Sequence, residues 1–480
     1  MGTPARSAVL AVVVLAGCLS APPGGGGGDA QPVVDAAPPP ATCETVEQCP
    51  VQSADVSCHC GECAILDARC DASGLQYLSE DGSSAGCVPG PEQLALGYQL
   101  SCLRWSNGEV SCWGTNCQGQ LGDGGEHSCP DDLSSPLPSL VRVEAGGAPL
   151  DDVVSLTVGL RHVCALRGDH TVWCWGDNVS GKVGGGSAET ILSSPIQVIR
   201  ELDSTPLAGV VALAAGGSHT CAVDGEGAAW CWGDNDYRQL GLEQMGDRAA
   251  AVQLPGSAGW TGVSGGGLHT CATRPETAGG PKPLWCWGRN TYGELGHGTM
   301  GEPGDPTPSL VGYEGDLASP VVPNAVGLGI DFSCAAVVGP SALCWGRNIA
   351  HALGDEGVPS GADGVDASGA RLVALAAPSG IEQIAAGGDF ACARMGDGSL
   401  QCWGGNAFGQ LGLGSTSEPA PPTPVDLDVT DVGAGTDHAC AITYDRQVEC
   451  WGHNDRGQLG DGTVSVDPQP TPTLVSDLCP

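Results

Sequence analysis

Short apolar runs separated by turn residues recur along most of this chain. Residues 194–235 contain four of them: S-P-I-Q-V-I at 194–199, V-V-A-L-A-A at 210–215, H-T-C-A-V at 219–223 and A-W-C-W-G at 229–233. Runs of this length, bounded by glycine, proline, asparagine or aspartate, are typical of β-strands. The pattern predicts an all-β unit of four short strands, which we name a, b, c and d in chain order.

The end of strand d carries the motif Cys-Trp-Gly-x-Asn, which occurs seven times at spacings between 48 and 62 residues. A recurring period of this size indicates a repeat architecture. Seven units of four strands predict a seven-bladed β-propeller, whose radial packing leaves only short sheet edges. An open solenoid is the alternative, and ring closure separates the two. The copies begin at Cys112, Cys174, Cys231, Cys286, Cys344, Cys402 and Cys450.

The two ends of the repeat region predict how the ring closes. The first repeat starts at a strand b, residues 93–96, with no strand a before it, and an extra strand a follows the last repeat at residues 471–476. We therefore expect the C-terminal strand to complete the first blade. Cys87 and Cys479 would then lie close together and form a disulfide; the alternative is that Cys479 pairs within the N-terminal cysteine-rich module.

Each Cys-Trp-Gly copy has a second cysteine upstream, ten residues away in six repeats and fifteen in the fourth, where a loop is inserted at residues 274–283. An even separation places both residues on one side of a hairpin, directly opposed and within disulfide reach. The sequence predicts one cross-strand disulfide per repeat and a further loop disulfide. The predicted pairs are Cys102–Cys112, Cys164–Cys174, Cys221–Cys231, Cys271–Cys286, Cys334–Cys344, Cys392–Cys402, Cys440–Cys450 and Cys117–Cys129.

The N-terminal segment predicts export. An apolar run at residues 8–16 follows Arg6 and ends in L-A-G-C, which resembles a bacterial lipobox with Cys18 as the lipidated residue. We expect a lipoprotein signal peptide at residues 1–17, a Gly/Pro-rich tether at 18–42, a disulfide-rich module at 43–90 and the propeller at 91–480. A secreted protein with an incidental cysteine, and a zinc cluster at residues 58–63, are the alternatives. The expected location is the outer membrane or the extracellular space.

The net charge and the repeated residues argue against several classes of function. A net charge of −37 repels phosphate backbones and anionic lipids, which argues against nucleic acid and leaves the Cys18 lipid as the expected membrane contact. The position two residues before the first cysteine of each pair holds histidine in four repeats and leucine or phenylalanine in the other three. Because apolar residues are accepted there, we expect a packing position and not a metal site. We expect no catalytic residue, metal or cofactor. The seven occupants are Leu100, His162, His219, His269, Phe332, Phe390 and His438.

The repeat G-x-x-H-x-C-A followed by W-G-x-N-x-x-G-Q-L-G resembles the regulator of chromosome condensation repeat. The best copies of its second half are residues 113–122, 403–412 and 451–460. The resemblance implies a seven-bladed propeller but no single function. The paired cysteines are similar to those of extracellular bacterial members, one of which binds and inhibits β-lactamase. Acidity and export argue against the nuclear exchange-factor role, and Leu160 replaces the tryptophan of the plant photoreceptor.

We expect a monomeric, surface-anchored, non-catalytic scaffold that binds a protein or polysaccharide, with a basic partner favoured, through one propeller face. The alternatives are an envelope enzyme with a site in the funnel and a purely structural envelope protein. Two rings of variable positions are the candidate contacts, because exposed aromatic and arginine residues are enriched in binding hot spots. The first ring contains Tyr98, Arg161, Asp331, Asp389 and Asp437, and the second contains Tyr237, Arg238, Tyr292, Phe408 and Arg456.

Overall fold

A computed structural model describes residues 56–59, 62–66, 75–78, 84–125, 134–256, 259–277, 279–301, 304–339, 341–354, 366–375, 379–417, 420–476 and 478. The predicted signal peptide, Cys18 and the tether lie outside these ranges. Within them the elements are β-strands, with two single-turn 3-10 helices at Val179–Gly181 and Ile349–His351. No helix of the described residues has the length and apolarity needed to cross a membrane.

The N-terminal module contains one antiparallel sheet in the order β1-β2-β3-β4. The cysteine side chains of this module, whose pairing the sequence leaves open, are outside the part that the structure describes. Its strands are β1 (Val56–His59), β2 (Glu62–Leu66), β3 (Leu75–Leu78) and β4 (Ser84–Val88).

The first four repeats each form a four-stranded antiparallel sheet in which consecutive strands are neighbours. Strand b lies at one edge of the sheet, followed by c, d and the strand a that comes next in the chain. The strands are β5 (Pro91–Leu96), β6 (Leu100–Trp105), β7 (Val110–Thr115) and β8 (Ser134–Leu140); β9 (Val153–Val158), β10 (His162–Arg167), β11 (Val172–Asp177) and β12 (Ile191–Gln197); β13 (Val210–Ala215), β14 (His219–Asp224), β15 (Ala229–Gly233) and β16 (Arg248–Gln253); β17 (Gly262–Gly265), β18 (His269–Thr273), β19 (Leu284–Gly288) and β20 (Asp305–Leu310).

The last three repeats keep this strand order with two additions. A hairpin extends the fifth sheet, and β30 is long enough to be strand a of the sixth repeat and strand b of the seventh, so those two repeats share a seven-stranded sheet. The strands are β21 (Gly312–Tyr313), β22 (Asp316–Pro320), β23 (Ala325–Leu328), β24 (Phe332–Val337), β25 (Ser341–Gly346), β26 (Ala367–Ala374), β27 (Ile381–Ala386), β28 (Phe390–Met395), β29 (Ser399–Gly404), β30 (Ala420–Ala434), β31 (His438–Thr443), β32 (Val448–Asn454) and β33 (Ser465–Leu474).

The predicted use of the C-terminal strand is wrong. Strand β33 pairs with β32 of the seventh repeat and does not join the first sheet. The first sheet takes its outer strand from β8, which pairs with β7. The reason is that each strand a folds back on the strand d that precedes it, so every repeat is complete within its own stretch of chain.

All seven cross-strand disulfides predicted from the cysteine spacing are present. The paired cysteines are opposed in the c–d register, for example Cys440 to Cys450. Their Cα atoms lie 4.0–4.2 Å apart, also in the fourth repeat, where the cysteines are fifteen residues apart. Cys117 is disulfide-bonded, but Cys129 and Cys479 lie outside the described residues. The Cys87 side chain is likewise outside the described part, so the Cys117–Cys129 and Cys87–Cys479 pairs stay predictions.

The tryptophan after the second cysteine joins neighbouring repeats. Each is 0% exposed, and its indole N–H donates to a backbone carbonyl of the preceding repeat. The donor and acceptor pairs, all 2.8–3.1 Å apart, are Trp113 to Gln458, Trp175 to Gln120, Trp232 to Lys182, Trp287 to Gln239, Trp345 to Glu294, Trp403 to Ala352 and Trp451 to Gln410. The asparagine of the motif holds the loop that presents this carbonyl. Its Oδ1 accepts the N–H five residues later, as Asn454 does from Leu459.

The buried histidines follow a pairing rule across the same junctions. Each histidine Nε2 lies 2.8 Å from a hydroxyl in the next repeat: His162 to Thr220, His219 to Thr270, His269 to Ser333 and His438 to Ser101. Where the position holds Leu100, Phe332 or Phe390, the equivalent residue of the next repeat is Val163, Ala391 or Ala439, which has no hydroxyl. The packing interpretation of this position is therefore correct. Both members of a junction pair change together: either histidine faces a hydroxyl, or an apolar residue faces valine or alanine.

The hydroxyl in each polar pair fixes the histidine tautomer. The Ser101 hydroxyl donates to the Gln458 carbonyl at 2.8 Å, so it accepts from the Nε2–H of His438. Burial lowers the pKa of His219, His269 and His438 to about 3 and that of His162 well below its usual value. All four imidazoles are therefore neutral at physiological pH.

We predict that the His438–Ser101 pair behaves as a unit in stability measurements. Ser101→Ala should lower the free energy of unfolding by about 1–3 kcal/mol, because it leaves the buried Nε2–H of His438 without an acceptor. Adding His438→Phe should recover most of that loss, because Phe–Ala is the pair found at two other junctions. Denaturant titration of the two single variants and the double variant measures the coupling; additive losses would contradict the pairing rule.

The same double variant has a defined effect on pH dependence. The folded pKa of His438 is below its unfolded value, so unfolding takes up a proton between about pH 3 and 6.5, and stability falls as the pH falls through that window. Removing one such histidine should reduce the slope of unfolding free energy against pH by about 1.4 kcal/mol per pH unit near pH 4–6. An unchanged slope would contradict the neutral buried histidine.

Candidate partner-binding face

The two predicted rings of variable residues lie at the same end of the sheets. The first ring occupies the b–c turns and the second occupies the d–a loops, and both connections leave the same ends of their strands. Backbone bonds tie them together: the Arg347 N–H donates to the Asp331 carbonyl and the His453 N–H to the Asp437 carbonyl, both at 2.9 Å. We call this end of the repeats the partner face.

A cluster of tyrosine and arginine side chains crosses the partner face at repeats three to five. The Arg289 guanidinium lies 6.0 Å from the Tyr237 ring and 5.6 Å from the Tyr292 ring, and that of Arg347 lies 4.6 Å from Tyr292. These distances are typical of cation–π contacts. All four side chains are half-buried, so they are held in place while part of each surface remains accessible.

Two carboxylates fix the arginines of this Tyr–Arg cluster. Arg289 bonds the fully buried Glu294 at 2.9 Å and also pairs with Asp331. Asp331 accepts a second bond from Arg347 at 3.0 Å. Burial raises the pKa of Glu294, and the adjacent Arg289 charge opposes that rise. Of the three aspartates in the first predicted ring, Asp331 is therefore neutralised by two guanidinium groups.

Asp389, Asp437 and Asp455 form an acidic sector in repeats six and seven. Burial, together with the charges of Asp389 and Asp455, raises the pKa of Asp437 to about 6. Burial also raises the pKa of Asp389, whose carboxylate accepts a 3.3 Å bond from Gln410. The negative charge of this sector consequently changes close to neutral pH.

Aromatic and cationic groups border this sector. The Phe408 ring stacks on the His453 ring with centroids 4.2 Å apart. Burial lowers the pKa of His453, while Asp455 opposes that change. Arg238, a member of the second ring in the third repeat, does not border this sector. Its guanidinium donates to the Gly304 carbonyl at 3.0 Å.

A cavity of about 320 Å³ lies where the first and seventh repeats meet on the partner face. The Arg161 guanidinium lies 5.2 Å from the Tyr98 ring at its rim, and the Gln99 amide bonds both carboxylate oxygens of Asp455 at 2.8 Å. Arg456 lines the same cavity and donates to the Asp455 carbonyl at 3.0 Å. Members of both predicted rings therefore meet in one depression.

Two further features, a central cavity and a cluster of three aspartates, are weaker candidates for a functional site. A central cavity of about 80 Å³ is lined by glycines, aliphatic residues and Thr436, so its walls carry no acid or base. In the third repeat, ligand atoms of Asp234, Asp236 and Asp247 lie within 4.8 Å of one another. Burial and the two neighbouring carboxylates raise the pKa of Asp234.

Sequence reasoning missed the residue at the variable position of Trp-Gly-x-Asn. This position supplies Arg289, Arg347 and His453, which contact the predicted Tyr292, Asp331 and Phe408. The signal was present in the alignment of the repeats, because this position differs among copies whose flanking residues are constant. Asp455, one residue beyond the motif, was missed for the same reason.

The repeats of the chain match a known family. Residues 107–166, 169–223, 226–273 and 397–442 match the regulator of chromosome condensation (RCC1) repeat. A second description of the same repeat matches residues 153–182, 210–239, 381–410 and 429–458.

Two curated relatives align with most of the repeat region. The human E3 ubiquitin-protein ligase HERC2 is 28% identical over 337 residues, which are 68% of this chain but 6% of the ligase. The Arabidopsis thaliana ultraviolet-B receptor UVR8 is 30% identical over 329 residues, 66% of each protein. The chain therefore spans a small part of the ligase and slightly less than two thirds of the receptor.

Solved structures share the fold at lower identity. Human WBSCR16 is 20% identical with a TM-score of 0.62, covering 77% of this chain and 94% of its own. Yeast RCC1 (Prp20), solved bound to Kap60, is 22% identical with a TM-score of 0.61, covering 77% and 84%. The motif, the matched repeats and the shared fold agree, and the chain belongs to the regulator of chromosome condensation (RCC1) repeat family.

Proposed function

We propose that this chain is a non-catalytic scaffold that binds a protein through the partner face. The Tyr–Arg cluster is the observation that carries the proposal. Tyrosine and arginine are enriched among the residues that dominate interface energies, and side chains already fixed in place lose little entropy on binding. The acidic sector beside the cluster favours a partner that carries a basic patch.

Closure of the repeats into a seven-bladed ring is part of this proposal. Backbone bonds near the axis run from repeat to repeat, and the Thr436 N–H donates to the Gly97 carbonyl, which joins the seventh repeat to the first. The Trp113 and Ser101 bonds to Gln458 repeat the pattern of the other junctions. A ring would hold both ends of the partner face in one rigid surface.

Protein binding is also supported by relatives. The yeast relative Prp20p is described with binding properties to Gsp1p and histones, and its complex with Kap60 has been solved. The relative HERC2 is a ubiquitin ligase, but only 6% of that protein aligns with this chain. The funnel enzyme is disfavoured because the central cavity is lined by glycine and aliphatic residues.

We further propose that the Cys18 lipid anchors the scaffold to the outer membrane. The apolar run before Leu15-Ala16-Gly17-Cys18 supports this assignment. Cells fed a palmitate analogue should incorporate it into the wild-type chain, and the protein should fractionate with the outer membrane. Cys18→Ser should abolish the label and release the chain from the membrane; labelling that persists in this variant would contradict Cys18 as the anchor.

The Tyr–Arg cluster should dominate partner affinity. Partners are identified by cross-linking the purified chain to intact cells, and their affinities are then measured by surface plasmon resonance. Tyr292→Ala combined with Arg347→Ala should weaken binding at least about 30-fold, because two hot-spot side chains are truncated. Tyr444→Ala is the matched control, since Tyr444 is 56% exposed on the c–d turn at the opposite end of its sheet. Equal losses in both variants, or capture of a polysaccharide alone, would contradict the proposal.

Affinity for a basic partner should increase as the pH rises through about 6. The pKa of Asp437 lies near this value, so deprotonation adds negative charge to the acidic sector. Asp437→Asn should remove that pH dependence while the affinity below pH 5 changes little. A wild-type affinity that is constant between pH 5 and 7 would rule out a contribution of Asp437 to binding.

A further inference from the structure

Strand b of each repeat has an edge that faces the neighbouring repeat, and side chains from the preceding repeat cover it at several junctions. The Gln93 amide bonds both the N–H and the carbonyl of Leu156, each at 3.0 Å. The Gln383 amide does the same for Val432, at 3.3 and 3.0 Å. A glutamine amide thus takes the place of a neighbouring strand at two junctions.

At the junction between the fourth and fifth repeats, the equivalent position has no side chain. Counted back from the histidine position, the residue equivalent to Gln93 and Gln383 is Gly262. A cavity of about 440 Å³ opens at this place, lined by Gly262, Val263 and Ser264 on one side and by Ala325 and Val326 on the other. Its volume is within the range of small-molecule sites.

The N–H and carbonyl of Val326 face this cavity. Val326 is opposed to Ala335 in the register of its sheet, as Leu156 is to Ala165 and Val432 is to Ala441. The same register directs the same backbone groups to the free edge of the strand. Among the residues that the structure describes, no side chain bonds these groups of Val326.

The remaining walls provide one cation, hydroxyl groups and apolar surface. Lys282, from the loop inserted in the fourth repeat, lines the cavity and is exposed. The chain has one other lysine, Lys182, and that side chain is paired with Asp177 at 2.9 Å. Leu284 and Val263 add apolar contacts. The cavity therefore joins an amide-binding strand edge to an anion-binding ammonium group.

We propose that this cavity binds a small molecule that carries a carboxamide and a carboxylate on a short aliphatic linker. The carboxamide donates to the Val326 carbonyl and accepts from its N–H, as the glutamine side chain does at the two equivalent junctions. The carboxylate pairs with Lys282, and the linker contacts Val263 and Leu284. The site lies beside the c–d loop, at the end of the sheet away from the partner face.

A ligand-free measurement tests the strand edge. Gly262→Gln places an amide where Gln93 and Gln383 have theirs, and a Cβ at Gly262 meets only the Thr273 hydroxyl, at 3.1 Å. We expect Gly262→Gln to have a higher melting temperature than Gly262→Leu, which has a similar volume but no amide. An equal or lower value for Gly262→Gln would overturn the assignment of the Val326 groups.

A binding measurement tests the ligand class. The probe is glutaramate, which has a carboxamide and a carboxylate joined by three methylene groups, and pentanoate is the control without the amide. Isothermal titration of the full chain should give saturable 1:1 binding of glutaramate, at least tenfold tighter than that of pentanoate. Lys282→Ala should weaken glutaramate about tenfold through the lost charge-assisted contact.

Gly262→Gln links the two measurements, because its side chain occupies the cavity. It should abolish glutaramate binding while circular dichroism and the seven disulfides remain as in the wild type. Three outcomes would overturn the proposal: no saturable binding of glutaramate, equal binding of pentanoate, or unchanged binding by Gly262→Gln.

Discussion

Each junction between neighbouring repeats depends on one backbone carbonyl, presented by the loop after Trp-Gly-x-Asn. In all seven cases this carbonyl accepts the indole N–H of the next repeat. A buried indole N–H without an acceptor costs about 1–3 kcal/mol, so the tryptophan and the loop must be retained together. The same contact requires the glycine that ends the loop, because a Cβ on Gly122 would lie 2.6 Å from the Trp175 Nε1.

This constraint explains why function falls on residues that differ among repeats. Each of the constant residues is already committed to a structural bond. The cysteines close the c–d hairpin, the asparagine holds its loop, and the tryptophan and buried histidine bond the neighbouring repeat. The b–c turns and d–a loops leave the same end of every sheet, so their variable residues gather on the partner face. On the partner face, too, junction residues position the charges. The Glu294 carboxylate pairs with Arg289, while the Glu294 carbonyl accepts hydrogen bonds from the Trp345 indole and the Ser333 hydroxyl.

Local spacing predicted the features that one hairpin determines. The opposed cysteines followed from strand periodicity, and the substitution of histidine by phenylalanine correctly indicated packing. The failures concern which element each strand or side chain pairs with. Nothing in the period shows that strand a pairs with the strand d before it, so the C-terminal strand was assigned to the wrong sheet. The pairing of Asp331 with Arg289 was not predicted either, because Arg289 lies in the preceding repeat.

The junction between the fourth and fifth repeats shows how a repeat protein can gain a site without losing its fold. The end of this junction next to the partner face keeps the His269–Ser333 pair and the bond from Trp345 to the Glu294 carbonyl. Because these bonds are intact, a glycine at position 262, where two other junctions have glutamine, leaves a cavity and does not separate the sheets. The His–hydroxyl pairs and their apolar counterparts also show that each junction has its own matched set of residues. Single junctions can therefore differ from one another, and at the junction between the fourth and fifth repeats the Arg347–Tyr292 contact and the cavity lie at opposite ends.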